Sequence, residues 1–195
     1  MALLHRLAQS PIIAAVRSPD KLEEALNSNA ANLFIMGGSL NTLPPMVKAA
    51  KAQSKGVFVH LDLIRGLSST DKESLEFIRE QIDPDGIITP KGHLIKEAKR
   101  IGLHAILHLF VIDSLAMANG LSLSQSIRPD AIEVMPGTIA KVVSHFAESL
   151  PDIPIVSSGL IQSREEAAEM LNAGATALSV SEQTLWQLSF SDLCG

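Results

Sequence analysis

The sequence has no tyrosine, one tryptophan and one cysteine, and aromatic residues make up 4% of its 195 positions. With so few rings, capture of nucleic-acid bases by stacking is poorly provided for, and no RNP-like segment occurs. The lone Cys194 stands beside the C-terminus, which excludes an intrachain disulfide and a cysteine zinc cluster and fits a reducing, cytoplasmic setting. It is also too terminal to serve as a nucleophile in a buried site. Charge is sparse: charged residues are 19% of the chain and the net charge is −5. That balance works against non-specific RNA or DNA binding, so any such contact has to come from a local patch. Long apolar runs are missing too. His5, Arg6, Gln9 and Pro11 interrupt the N-terminal stretch, leaving neither a signal-peptide core nor a membrane span, and a soluble, unprocessed chain is expected. Without a G-x-S-x-G or a P-loop, serine-hydrolase and NTPase chemistry are disfavoured.

Apolar residues make up 46% of the chain, the 12 glycines and 10 prolines are scattered, and no linker or run of like charge divides it. A single domain over residues 1–195 is expected. Eight short runs rich in Ile, Val, Ala and Phe begin near Ile12, Asn32, Val57, Gly86, His104, Asp130, Ile153 and Thr176. Each is followed by a polar turn and a stretch of helical periodicity, which predicts a βα repeat. Ser18-Pro-Asp20, Ser69-Thr-Asp71 and the Ser163/Glu166 capping-box spacing mark helix starts, while Gly56, Gly102 and Gly174 mark left-handed helix ends. Nearly continuous apolar strands such as Pro11–Val16 imply a parallel sheet covered on both faces. The α/β fold expected is therefore a minimal (β/α)8 TIM barrel. An open doubly wound sheet is the alternative, but no G-x-G-x-x-G follows a strand, and Gly37-Gly38 is too short a match. Pro84-Asp-Gly-Ile87 faintly echoes Pro129-Asp-Ala-Ile132.

In such a barrel the site lies at the C-terminal ends of the strands. Polar residues expected there are Arg17, His60, Asp62, Lys91, His108, Glu133, Ser158, Gly159, Ser179 and Ser181. Strand alternation would put His60 and Asp62 on one inward face and turn Glu133 inward as well. The seventh and eighth loops, Ser157-Ser-Gly-Leu160 and Ser179-Val-Ser181, suit an anion. Small residues admit backbone N–H groups, hydroxyls donate, and a helix N-terminus adds its dipole. Three plainer readings compete: buried barrel salt bridges, an ordinary Ser-Ser-Gly turn, and divalent-metal ligation by His60, Asp62 and Glu133. No metal and no cofactor are assigned.

At these residues the chain resembles the glycerol-uptake operon antiterminators, the glycerol-3-phosphate-responsive regulators of bacteria. The resemblance runs from about Ile12 to Trp186, through Ile13-Ala-Ala-Val-Arg17, Val57-Phe-Val-His-Leu-Asp62, Pro129-Asp-Ala-Ile-Glu-Val-Met-Pro-Gly137 and Ala173-Gly-Ala-Thr-Ala-Leu-Ser179. It implies a cytoplasmic, non-catalytic regulator that binds glycerol-3-phosphate in a barrel and acts on leader mRNA. His108 stands where the resemblance leads to an arginine, and Ser158-Gly159 where it leads to Gly-Gly. On this reading Lys91 or Arg17 would offset the phosphate charge, and Asp62, His60 and Glu133 would meet the glycerol hydroxyls. Removing Glu133 would then relieve repulsion among nearby acids. Lys96, Lys99 and Arg100, in the densest basic stretch, are the RNA-contact candidates, although a solvated helix face is the favoured reading of them. A homo-oligomer is left open. The competing class is a barrel enzyme on a small phosphorylated metabolite, an isomerase, aldolase or lyase, with His60 or Glu133 as base and Lys91 as electrostatic or Schiff-base residue.

Overall fold

The computed structural model describes residues 3–193, and Cys194 lies outside them. Eight parallel strands close into a barrel: β1 (Ile12–Val16), β2 (Asn32–Ile35), β3 (Gly56–His60), β4 (Gly86–Thr89), β5 (His104–Phe110), β6 (Ala131–Met135), β7 (Ile155–Ser158) and β8 (Ala177–Val180). Each strand pairs with the next, and β8 pairs with β1. The helices are α1 (Leu3–Leu7), α2 (Leu22–Leu26), α3 (Leu43–Ala52), α4 (Lys72–Phe77), α5 (Gly92–Arg100), α6 (Ser114–Ile127), α7 (Ala140–Ser149), α8 (Arg164–Asn172) and α9 (Phe190–Leu193). This is a (β/α)8 TIM barrel in one domain. None of these helices is long and apolar enough to cross a membrane.

The strands are apolar on both faces because each face has its own core. Outward residues such as Ala14, Leu33, Val57, Leu107 and Val134 pack beneath the helices in one large cluster. The alternate residues Ile13, Phe34, Phe58, Ile88, Ile106, Ala131, Val156 and Ala177 fill the barrel, joined by Leu3 and Leu7 of α1. Helix α1 thus closes the end where the strands begin. Arg6 pairs with Asp85 at 2.8 Å just before β4, and Asn32 of β2 donates to the Arg6 carbonyl at 2.9 Å. The broken apolar stretch at the N-terminus is this plug.

The Pro-Asp echo has a structural counterpart. Asp85 accepts the backbone N–H of Val57, and Asp130 accepts that of Ala105, each carboxylate reaching the start of the preceding strand. Two local expectations change. Gly102 and Gly174 are left-handed, but before β3 that conformation falls on Ser54 at φ 60°. Gly56 lies within β3 instead, where a Cβ would meet Asn32 Oδ1 at 2.1 Å. After β1, Ser18 donates to Asp20 rather than capping, and a 3-10 turn (Pro19–Lys21) leads into α2. The Ser163/Glu166 capping box forms as expected.

Candidate functional site

The barrel mouth divides into two polar regions. The first is a cavity of about 360 Å³ where β7 and β8 meet β1. Its walls include Ala15, Arg17, Met36, Met135, Ser158, Gly159, Leu160, Ser179 and Ser181. Arg17 follows β1 and is exposed, and no carboxylate among the described residues lies within ion-pair distance of it. Gly37 lets the β2 loop press against Arg17, since a Cβ there would sit 2.1 Å from the Arg17 carbonyl oxygen. Ser158 and Ser179 are neighbours in the β7/β8 register and both are buried. The hydroxyl of Ser179 has no hydrogen-bond partner among the described residues.

The loop after β7 is held by close backbone approach. Gly137 donates to the Gly159 carbonyl at 3.0 Å, Ser157 donates its hydroxyl to the Gly137 carbonyl at 2.9 Å, and a Cβ on Gly137 would collide with the Ser158 backbone at 2.6 Å. Gly159 and Leu160 both take positive φ, 84° and 64°, which turns the chain sharply over the cavity. For leucine this conformation costs energy, and such strain is concentrated at functional sites.

The helix-dipole part of the anion reading changes. Glu166 accepts the N–H groups of Gln162 and Ser163 at the start of α8, and Glu182 accepts that of Thr184 at the start of the 3-10 turn after β8. Carboxylates already occupy both helix ends, so an anion in the cavity would rely on Arg17, the serine hydroxyls and the loop backbone.

The second region, between β3 and β6, is closed. Glu133 is wholly buried, with His108 Nδ1 at 2.6 Å and His60 Nε2 at 3.5 Å from the same oxygen, Oε2. The imidazoles meet edge to face at 4.9 Å, and Phe110 covers His108 at 4.3 Å. Burial pushes the Glu133 carboxyl up, but the His108 hydrogen bond and the His108 and His60 imidazoles beside it outweigh that and hold the pKa down at about 2. Repulsion among acids is therefore not the local situation: the polar neighbours of Glu133 are histidines. None of the three lines the cavity. Their donor atoms lie within 4.8 Å of one another, close enough to be bridged by one ion.

His60 and Asp62 do not share an inward face. Strand β3 ends at His60, the chain turns through 3-10 residues Leu61–Leu63, and Asp62 emerges at the surface. There it pairs with Lys91, which also donates to Ser69 at 2.7 Å, while Thr89 donates to Asp62 at 3.2 Å. Partial burial pushes the Asp62 carboxyl up, but Lys91, Ser69 and Thr89 hold it below the usual carboxylate range. Neither Lys91 nor Asp62 borders the cavity. On α5, Lys96 is exposed with no ion-pair partner among the described residues, whereas Lys99 pairs with Asp130 at 3.3 Å and Arg100 with Glu97 at 2.6 Å. Trp186 is core, its indole donating to the Val180 carbonyl at 2.8 Å.

Sequence reasoning missed Met36, Met135 and Leu160 as cavity walls and Phe110 as the cover on His108. Apolar residues beside a polar mouth carry no local signal; only the parity of Met135 on β6 would have found one of them, since Met36 lies just past the end of β2.

Several known proteins resemble the chain along nearly its full length. It is 35% identical to the glycerol uptake operon antiterminator regulatory protein of Listeria monocytogenes, with 90% of this chain and 94% of that one covered and a TM-score of 0.85. A glycerol uptake operon antiterminator-related protein of Thermotoga maritima is 31% identical, covering 92% and 99% of the two chains with a TM-score of 0.82. The uncharacterized protein YgcP of Escherichia coli K12 is 33% identical over 189 residues, 97% of this chain and 98% of that protein. The family model described as glycerol-3-phosphate responsive antiterminator matches residues 12–186, from the first strand to the buried Trp186, and the chain belongs to that family.

Proposed function

We propose that this protein is a glycerol-3-phosphate sensor acting in transcription antitermination in the cytoplasm, with its ligand in the β7–β8–β1 cavity. The observation that carries the reading is the pairing there of an exposed, carboxylate-free Arg17 with the buried, unpartnered Ser179 hydroxyl. A dianionic phosphate would take charge-assisted hydrogen bonds from Arg17 and neutral ones from Ser158, Ser179 and Ser181. A cavity of about 360 Å³ lies near the small end of ligand pockets, as a three-carbon phosphate requires. The glycerol end would rest against Met36 and Met135.

Two features favour binding over turnover. Glu133, held at a pKa of about 2, is a weak base at neutral pH, and Lys91 is committed to Asp62 rather than free to attack a carbonyl. Leader RNA would meet a local basic face on α5, with Lys96 available directly and Lys99 and Arg100 exchanging their carboxylates for phosphates.

Isothermal titration with glycerol-3-phosphate, glycerol and inorganic phosphate tests the ligand: saturable heat with the first and none with glycerol is expected, and no binding of glycerol-3-phosphate refutes the site. Mobility shift of leader RNA across a ligand titration tests the coupling, expected at about 5- to 150-fold in affinity. RNA affinity indifferent to ligand refutes ligand gating.

A further inference from the structure

We infer that His60, His108 and Glu133 form a site for one divalent transition-metal ion of the zinc class, distinct from the β7–β8–β1 cavity. Together they leave four polar side-chain atoms buried without a hydrogen-bond partner among the described residues: both nitrogens of His60, Nε2 of His108 and Oε1 of Glu133. Orphaned atoms in that number at one spot are unusual, because each loses its hydration on burial with nothing in return, and native interiors satisfy such atoms with protein, water or an ion. The Glu133 carboxylate is fully buried, and its ion-pair partners among the described residues are these two histidines, with no lysine or arginine. A bound cation would take one nitrogen from each histidine and one carboxylate oxygen, and would offset the buried charge at the same time.

The donor chemistry selects the ion. Two imidazoles and one carboxylate suit zinc and its neighbours, whereas magnesium and calcium take oxygen donors. One donor atom from each residue lies within 4.8 Å of the others. Tetrahedral donors at zinc bond lengths sit roughly 3.3 Å apart, so the side chains would close on the ion by up to roughly 1.5 Å. The edge-to-face imidazoles, 73° between planes, present different ring edges to a shared centre. Three protein ligands leave a coordination position for water, the arrangement of an open rather than a purely structural zinc site. Sequence spacing does not reveal the set, since its members lie on β3, β5 and β6.

The test uses cobalt(II) and zinc alone, with no metabolite, so it is independent of the sensor reading. Chelator-treated full-length protein titrated with cobalt should develop visible d–d absorption saturating at one ion per chain. Zinc should abolish that absorption and raise the melting temperature. Glu133→Gln and His60→Gln should lose the signal, and His93→Ala, at an exposed histidine, should keep it. Should either variant fail to fold, imidazole NMR of the wild type decides. Zinc should shift two of the six histidines, and both shifted signals should persist in variants lacking the exposed His5, His93 or His145. No absorption and no thermal shift with wild-type protein overturns the proposal. So does absorption that survives in folded Glu133→Gln, or zinc shifts confined to the exposed histidines.

Discussion

On the β3–β6 side of the mouth, Glu133 holds His108 and lies beside His60, and Asp62 holds Lys91, all through contacts made by the chain itself. On the β7–β8–β1 side, Arg17 and Ser179 end without such partners beside an open cavity. Both sides are polar residues at the ends of parallel strands, and by type alone they are equally good candidates for a ligand. Their difference lies in how the charges are met: on the β3–β6 side Glu133 and Asp62 have cationic partners within the chain, even though His60, His108 and Glu133 keep four unmet atoms, whereas Arg17 has no carboxylate partner among the described residues. Groups already paired stabilise the fold and resist being diverted to a ligand, whereas unpaired groups have interaction energy left to give a ligand.

The sharpest way to break this comparison is Glu133→Ala. It strands His108 and His60 in the interior, and a cost of about 3–5 kcal/mol in stability is expected, read by chemical denaturation of chelator-treated protein. A variant as stable as the wild type would put Glu133 back among the ligand groups. The pH dependence follows with the same sign. The Glu133 carboxyl falls from the ordinary 4.5 of a glutamate to about 2 in the folded protein, so its contribution is complete above about pH 4.5 and is lost as pH falls toward 2. The loss amounts to roughly 3 kcal/mol, and Glu133→Gln should flatten the stability curve in that window. An unchanged slope would mean that other carboxylates govern acid unfolding.

Arg17→Ala addresses the open side. Glycerol-3-phosphate affinity should fall by about 1.5–3 kcal/mol in titration calorimetry, with the melting temperature unmoved because Arg17 supports nothing else. Equal affinity would empty the cavity of its assigned role. The smallest effect belongs to Lys91→Ala. Its ion pair with Asp62 is 28% and 27% exposed, so the expected loss of stability is no more than about 1 kcal/mol, and ligand affinity should stay the same. A drop in affinity comparable to that of Arg17→Ala would merge the two sides into one site.

Much of the architecture was legible beforehand because local rules agree with one another. The eight apolar runs, the Ser163/Glu166 cap and the left-handed glycines 102 and 174 each depend on neighbours within a few residues. Parity also turned His60 and Glu133 inward correctly. It failed at Asp62, where parity was carried two residues past the end of β3 and the 3-10 turn reset the direction. The helix-dipole reading of the β7 and β8 loops failed for a related reason, since Glu166 and Glu182 fill the helix ends from nearby in sequence but at atoms only the folded turn brings together.

What the sequence by itself determined is the barrel, its strand order and the set of polar residues at its mouth, because period, caps and apolar runs act over short separations. Tertiary structure alone decided how that set divides. Whether a histidine meets a glutamate 25 or 73 positions away, or an arginine meets no carboxylate, depends on the stagger of strands around a closed barrel, and that stagger exists only when all eight strands are in place.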